Sequence, residues 1–540
     1  MTGDPHREVT MSAVGGFVRD DWRLTSHITL NAGLRYDFTD PIKEAHNQLA
    51  NFIPGRGLIQ VGHGIDSPYN AQKANFGPRA GVVWDALGNG STVLRAGASY
   101  IFEQPSIRTF LDKAGLGMNP SGAEGVTPGT GNMTTFSRTL YSSDVNWSSS
   151  GPVFDVTSLA AASCTSDDPC NVFGTLQDLK NPSVFSWNVN VEQKITRNMA
   201  LQVAYVGSQG INLYSHRDIN QVDPSVDDGS EQYGRPYTYN CAAPTGGGAG
   251  GLCYPWAGYV FYVENLGSSI YHSLQITLTQ KSWKGWDFLA GYTWAHSIDT
   301  GSSDRTGYPQ DSNNFQALRG NGDYDIRHRL TFSSTYNLPD LKTHPKLTSG
   351  WQATSILTLE GGEPFDLYDS YNDISETSTY GNEHWNFHGN AHDVHAGQTH
   401  LPYYDFSDAA NSNSECLKYA SEDMLSSYGC YVSGSAVITP QEYGTFGNMG
   451  RNIFRGPKFV NWDLSVARKI QLRQNVVAQI RCEIFNILNH PNFDVFSMDT
   501  DLSDTSSVGQ VRFTPDVGAA NPVIGSGGSR HIQLGAKIIW

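Results

Sequence analysis

Between residues 28 and 38 every second side chain is apolar: Ile28, Leu30, Ala32, Leu34, Tyr36 and Phe38 alternate with Thr29, Asn31, Gly33, Arg35 and Asp37. Successive side chains of an extended strand point to opposite faces, so this stretch has one oily face and one polar face along its whole length. The pattern recurs in pairs. Residues 13–24 precede 28–38 across Thr25, Ser26 and His27, and 76–86 and 92–102 turn at Gly88, Asn89, Gly90 and Ser91. Residues 184–195 and 200–208 follow, then 269–281 and 286–296, which turn at Trp283, Lys284 and Gly285. Residues 328–338 and 351–359, then 459–470 and 476–487, repeat the arrangement, and 530–540 closes it with Ile532, Leu534, Ala536, Ile538 and Trp540 on one side.

Each pair is followed by a much longer segment rich in Gly, Ser, Asn, Asp, Pro and Tyr: 39–75, 103–182, 209–267, 297–327, 360–458 and 488–529. Short turns at one end of every strand pair and long segments at the other are the pattern of a barrel that spans a membrane, with lipid outside and water inside. The fold expected is therefore all-β, an antiparallel transmembrane barrel wall of about thirteen strands with long extracellular loops. Connections of this length count as functional loops or small subdomains, and an acidic, tyrosine-rich, mobile outer surface is expected of them. Aromatic residues gather toward the strand ends, where interfacial girdles belong.

Composition agrees with this reading. Charged residues are 16% of the chain and aromatics 11%, and 56 Gly with 26 Tyr and 12 Trp is an inventory of strands and turns. Thirty-six basic against 52 acidic residues, with no basic cluster, argue against a nucleic-acid partner. No apolar run is long enough for a helical span, but a barrel strand needs only about 9–11 alternating residues. Two other readings fit parts of the pattern: a secreted soluble β protein, and a surface adhesion protein whose barrel is only an anchor. The count of strands is odd, whereas single-chain bacterial barrels have an even count, and the amino terminus lacks a signal-peptide segment. The expectation is that residues 1–540 form the carboxyl-terminal portion of a larger barrel, with plug domain and signal peptide absent.

An ionised Arg facing lipid at mid-membrane costs about 2–4 kcal/mol, so Arg35, Arg95, Arg329 and Arg481, with Glu483, are expected on the lumen face. There they either brace the inner wall as charge ladders or contact a plug or cargo. Asp20 is a misfit: it shares parity with Val18, Trp22 and Leu24, which requires either a bulge or a position at the interface. Six of seven cysteines fall two to a loop, and local disulfides are expected for Cys164 with Cys170, Cys241 with Cys253, and Cys416 with Cys430. Cys482 sits alone on an apolar strand face. His384, His388, His392, His395 and His400 crowd one segment beside Glu383 and Asp393, but Gly389, Asn390 and Gly397 oppose the helix that would align them, so no metal is expected. The glycine run at 246–251 lacks the Lys-Ser or Lys-Thr of a phosphate loop. No arrangement for nucleophilic catalysis stands in a strand-turn-helix context, so neither catalysis nor a cofactor is expected.

The segments FVRDDWRLTSHITLNAGLRYDF (17–38), FGPRAGVVWD (76–85), NPSVFSWNVNVEQKI (181–195), YHSLQITLTQK (271–281), DIRHRLTFSSTYNLP (325–339) and RCEIFNILNHPNF (481–493) together resemble the barrel of TonB-dependent outer-membrane receptors, closest to the Oar-like branch. The resemblance covers nearly all the strands and few of the loops. It implies residence in outer-membrane lipid, a 22-stranded barrel occluded by a plug, and ligand uptake powered through the TonB energy-coupling complex. It also implies that Trp540 is the terminal aromatic read by the barrel assembly machinery. The ligand is not specified by these residues. The plug and the TonB box, which the resemblance would place upstream, are not in the sequence.

Overall fold

The computed structural model describes residues 8–107 (apart from 46, 48 and 63), 136–137, 145–148, 151–154, 170–224, 234–238, 257–302, 309–339, 348–377, 383–407, 411–515 and 527–540. Thirteen strands form one continuous path in which each pairs antiparallel with the next in sequence. They are β1 (Ala13–Arg23), β2 (Ile28–Thr39), β3 (Phe76–Asp85), β4 (Thr92–Phe102), β5 (Ser183–Thr196), β6 (Met199–Asp218), β7 (Ala257–Trp283), β8 (Trp286–Asp299), β9 (His328–Asn337), β10 (Trp351–Glu360), β11 (Phe459–Arg473), β12 (Val476–Phe485) and β13 (His531–Ile539). Three short strands join the same sheet, one of them, Cys170–Thr175, running parallel to β7. β1 and β13 are the ends of the path, and among the described residues neither pairs with the other.

The turns follow from local sequence. Lys284 and Gly285 link β7 to β8 with φ of 49° and 83°, the double positive φ of the two-residue turn whose twist matches its strands. All the short connections, and Trp540, lie at one end of the wall; all the long segments lie at the other.

Residues opposite one another in a ladder share a face, so register fixes the faces. Arg95 opposes Val83 and Asn190; Asn190 opposes Ala204, then Gln275, Thr293, Arg329 and Glu360 follow in turn. Arg481 reaches the same face through Ala467, Gln352 and Asn337, and Arg35 reaches it through Gly77. The opposite face carries Val18, Trp22, Leu34, Trp84, Val189, Val203, Leu330, Trp462, Ile480 and Leu534, all exposed, Leu534 by 79%. So many large apolar side chains in contact with the surroundings mark a surface made for lipid. Cys482 lies on this face and is not disulfide-bonded. The β1–β2 ladder runs from Ala13 opposite Thr39 to Arg23 opposite Thr29 without a shift, so no bulge rescues Asp20; it faces the apolar side opposite Ala32.

On the long-loop side the wall departs from the sequence reading. Residues 209–218 and 257–267, expected within a loop, continue β6 and β7. Here Val260, Phe261, Tyr262 and Val263 are buried in succession, so alternation vanishes because loops cover both faces. One cluster, from Ile42, Leu49, Val61, Ile65, Tyr69, Leu179 and Val263, packs against this extension.

A larger cap forms from 361–458 together with 486–515. Its core includes Phe365, Leu367, Trp385, Met424, Tyr431, Ile438 and Phe454 from the first segment and Met498, Leu502, Val508 and Val511 from the second. A four-stranded sheet and the short helix α1 (Glu422–Tyr428) frame it. The Cys416–Cys430 disulfide, with Cα atoms 6.4 Å apart, is fully buried beside Leu425. The expectation of a mobile surface fails for the described part of this segment, because aromatic and aliphatic residues spaced without period still assemble into a core of their own. Cys164, Cys241 and Cys253 lie outside the described residues, as does the side chain of Cys170.

Candidate functional site

The polar face of the sheet carries paired charges. Arg35 Nε lies 2.7 Å from Asp37, Arg95 Nη1 2.8 Å from Glu192, Arg329 Nε 2.8 Å from Glu360, and Arg481 Nε 3.2 Å from Glu483. The five lumen candidates therefore share one face, but they are spread from β2 to β12 and do not converge. Of their partners, Asp37, Glu192 and Glu360 were not singled out from sequence; Asp37 and Arg35 stand two apart on one strand, a spacing that could have revealed them. These pairs are half exposed, so each contributes little to stability, about 0–1 kcal/mol. Arg35, Asp37, Arg79, Ser99, Glu103 and Asn181 border a cavity of about 760 Å³ at the long-loop end of β1–β4.

Above the wall, buried charges tie the cap to the rim. Arg451 pairs with Asp299, which ends β8, and its Nη1 lies 3.0 Å from Asp323, while its Nε donates to the carbonyl of Leu318 at 3.0 Å. Asn452 Nδ2 donates to Asp323 at 2.7 Å. Asp325, with only 1% of its side chain exposed, receives Arg455 at 2.5 Å, Arg327 at 3.0 Å and the amide of Ser297 at 2.6 Å. Burial alone raises the Asp325 pKa, but these donors outweigh it and hold the carboxyl below the usual carboxylate range. Apart from Asp325 and Arg327, which stand two apart, the partners in this network lie far apart in the chain and carry no sequence signal.

Inside the cap, Glu383 accepts from the amides of Ile374 (3.1 Å) and Ser375 (3.2 Å), from the Ser375 hydroxyl, and from Gln441 Nε2 at 3.0 Å. Burial, aided by Asp373, pushes its pKa up to about 7. His384 Nε2 lies 2.9 Å from Asp366; burial disfavours the imidazolium, but Asp366 prevails and the net shift is upward. His384 borders a cleft of about 330 Å³ with Gln310, Phe446 and Asn448. The other histidines of the segment are dispersed: His388 stacks on Tyr419 with centroids 3.9 Å apart, His392 follows the cap of a 3-10 turn, His395 bridges the backbone of Arg455, and His400 meets the carbonyl of Leu401. No group of three or more potential metal ligands occurs among the described residues.

A face of lipid-suited side chains, an inner face of charge ladders and a capped rim agree with the comparison to known families: residues 2–533 match the outer membrane beta barrel domain. The chain belongs to the outer membrane β-barrel family. This barrel chain thus has its place in the cell outer membrane. It is 25% identical over 302 residues to the TonB-dependent transporter Oar of Myxococcus xanthus, a match that spans 53% of this chain and 23% of Oar. Among solved structures, the outer membrane transporter YddB of Escherichia coli is similar at 12% identity with a TM-score of 0.43, covering 98% of this chain and 45% of that one. The ferripyoverdine receptor of Pseudomonas aeruginosa is similar at 9% identity with a TM-score of 0.41, covering 99% of this chain and 39% of that one. The barrel chain thus spans less than half the length of these proteins.

Proposed function

We propose that residues 1–540 form the carboxyl-terminal portion of the barrel of a TonB-dependent receptor, which captures a ligand at its outer loops and lumen and imports it across the outer membrane. The observation that carries this reading is the match to Oar, which runs over half of the chain. In this reading energy arrives from the TonB complex through a plug supplied outside these residues, the chain itself performs no covalent chemistry, and Trp540 addresses it to the barrel assembly machinery. Arg35, Arg95, Arg329, Arg481 and Glu483 brace the inner wall against the plug. Among the described residues the outer edges of β1 and β13 have no partner strand, which supports completion of the barrel by further strands, because every unsatisfied backbone group in hydrocarbon costs several kcal/mol.

The test is a gene deletion in the source bacterium, with solutes remaining in the medium followed by mass spectrometry. One class of solute should stay outside the deletion strain, and its uptake by the parent should stop when the proton-motive force is dissipated. Unchanged depletion of every solute overturns the proposal.

A further inference from the structure

The lipid-suited outer face carries a polar patch where its apolar belt ends on the long-loop side. Tyr205 Oη lies 2.7 Å from His272 Nδ1, and the rings stack with centroids 6.1 Å apart. Two strands further on the device is repeated: Tyr292 Oη lies 2.9 Å from His328 Nδ1, with centroids 6.2 Å apart. Register puts both imidazoles outward, since His272 opposes Gly207 and His296, and His328 opposes Trp294. With Nδ1 held by a phenol, the Nε2 of each ring has no partner among the described residues.

A phenol that donates to Nδ1 leaves the proton on Nε2, and so does the imidazolium; an anion in front of the ring selects these forms and receives an N–H. Beside them, Arg327 Nη2 lies 3.0 Å from His296 Nε2, with about a third of the Arg327 side chain exposed. Of the Arg327–Asp325 pair only the guanidinium reaches the surface, because the Asp325 side chain is 1% exposed. The level matters as much as the charge. The same rows hold Trp187 and Trp294, side chains that settle at the boundary between hydrocarbon and headgroups.

We propose that His272, Arg327 and His328 form a docking site for the phosphate of an anionic lipid headgroup in the outer leaflet. Arg327 Nε is taken by Asp325 and its Nη2 by His296 and Asn321, so its Nη1 is the donor that meets a phosphate oxygen, and the two Nε2–H groups of the histidines supply flanking donors. Zwitterionic headgroups bring a compensating cation and fit less well.

Native mass spectrometry of the whole chain in neutral detergent, titrated with phosphatidylglycerol or phosphatidylcholine, tests the site. Retained phosphatidylglycerol should exceed phosphatidylcholine several-fold, and His272→Gln with Arg327→Gln and His328→Gln should reduce that excess at least fivefold. Arg329→Gln, the same charge loss on the inner face, should leave it unchanged. If the triple variant does not fold, Tyr205→Phe with Tyr292→Phe removes only the phenols that hold Nδ1, and at least a twofold loss is expected. Equal retention of the two lipids, an equal loss in Arg329→Gln, or full retention in the phenylalanine pair overturns the proposal.

Discussion

Arg455 Nη2 lies 2.5 Å from the buried carboxylate of Asp325, joining the far end of the cap to the segment that enters β9. Asp325 titrates below its ordinary value, so its contribution to stability is fully present above the unfolded carboxylate pKa of about 3.9 and is lost as pH falls through the lower folded value. The amide of Ser297, which donates to Asp325, should lose hydrogen-exchange protection on acidification below about pH 4. Asp325→Asn should abolish that acid step; its persistence in the variant assigns the step to another group.

Arg451→Ala should be the more damaging change at the rim. Both side chains of its pair with Asp299 are more than nine-tenths buried, and removal of one partner from such a pair costs about 3–5 kcal/mol. Limited proteolysis should show cleavage within 361–458 at protease levels the parent resists, while the wall strands stay protected. Resistance equal to the parent's shows that the pair does not hold the cap.

Glu383 responds in the opposite sense. Its raised pKa means that its contribution is fully present below the unfolded value and is lost as pH rises toward about 7. Hydrogen exchange at Ile374 and Ser375, corrected for intrinsic rates, should therefore accelerate between pH 5 and pH 8, and Glu383→Gln should flatten the dependence. A flat profile in the parent disproves the assignment.

Reduction of Cys416–Cys430 opens a closed loop with a sequence separation of 14. A loop of this size corresponds to about 3 kcal/mol in the chain-entropy account. Dithiothreitol, or Cys416→Ser with Cys430→Ser, should lower the denaturant midpoint of the cap without altering that of the wall.

The two faces of β7 offer a paired test of orientation. Ile276→Arg places a cation on the apolar face and should cost about 2–4 kcal/mol of stability in liposomes, whereas Thr277→Arg, on the inner face, should cost less than about 1 kcal/mol. Equal effects show that the assignment of the lipid face is wrong.

Much of the wall was legible because lipid on one side and water on the other impose period two; Ile28 to Phe38 and Ile532 to Trp540 display it without help from tertiary structure. Legibility ends where both faces are covered. At Val260 to Val263 four successive residues are buried, and the strand looks like any apolar run. The shared face of Arg35, Arg95, Arg329 and Arg481 could be read from mid-membrane energetics, whereas partners on other strands could not, since Glu192 meets Arg95 across 97 residues of sequence. Cys416 and Cys430 announced themselves by isolation in one loop. Arg451, Asp299 and Asp325 did not, since charged residues in polar segments are ordinarily solvated and only the folded cap shows these to be buried.

The cap core is built from two pieces of chain separated by β11 and β12. Trp385 and Phe454 come before those strands, whereas Leu502 and Val508 come after them. The first piece cannot complete its interior until the chain has crossed the membrane and returned. Closure of the outer crown is thereby made to report that this hairpin has been threaded, which sets the order of late assembly events from topology alone.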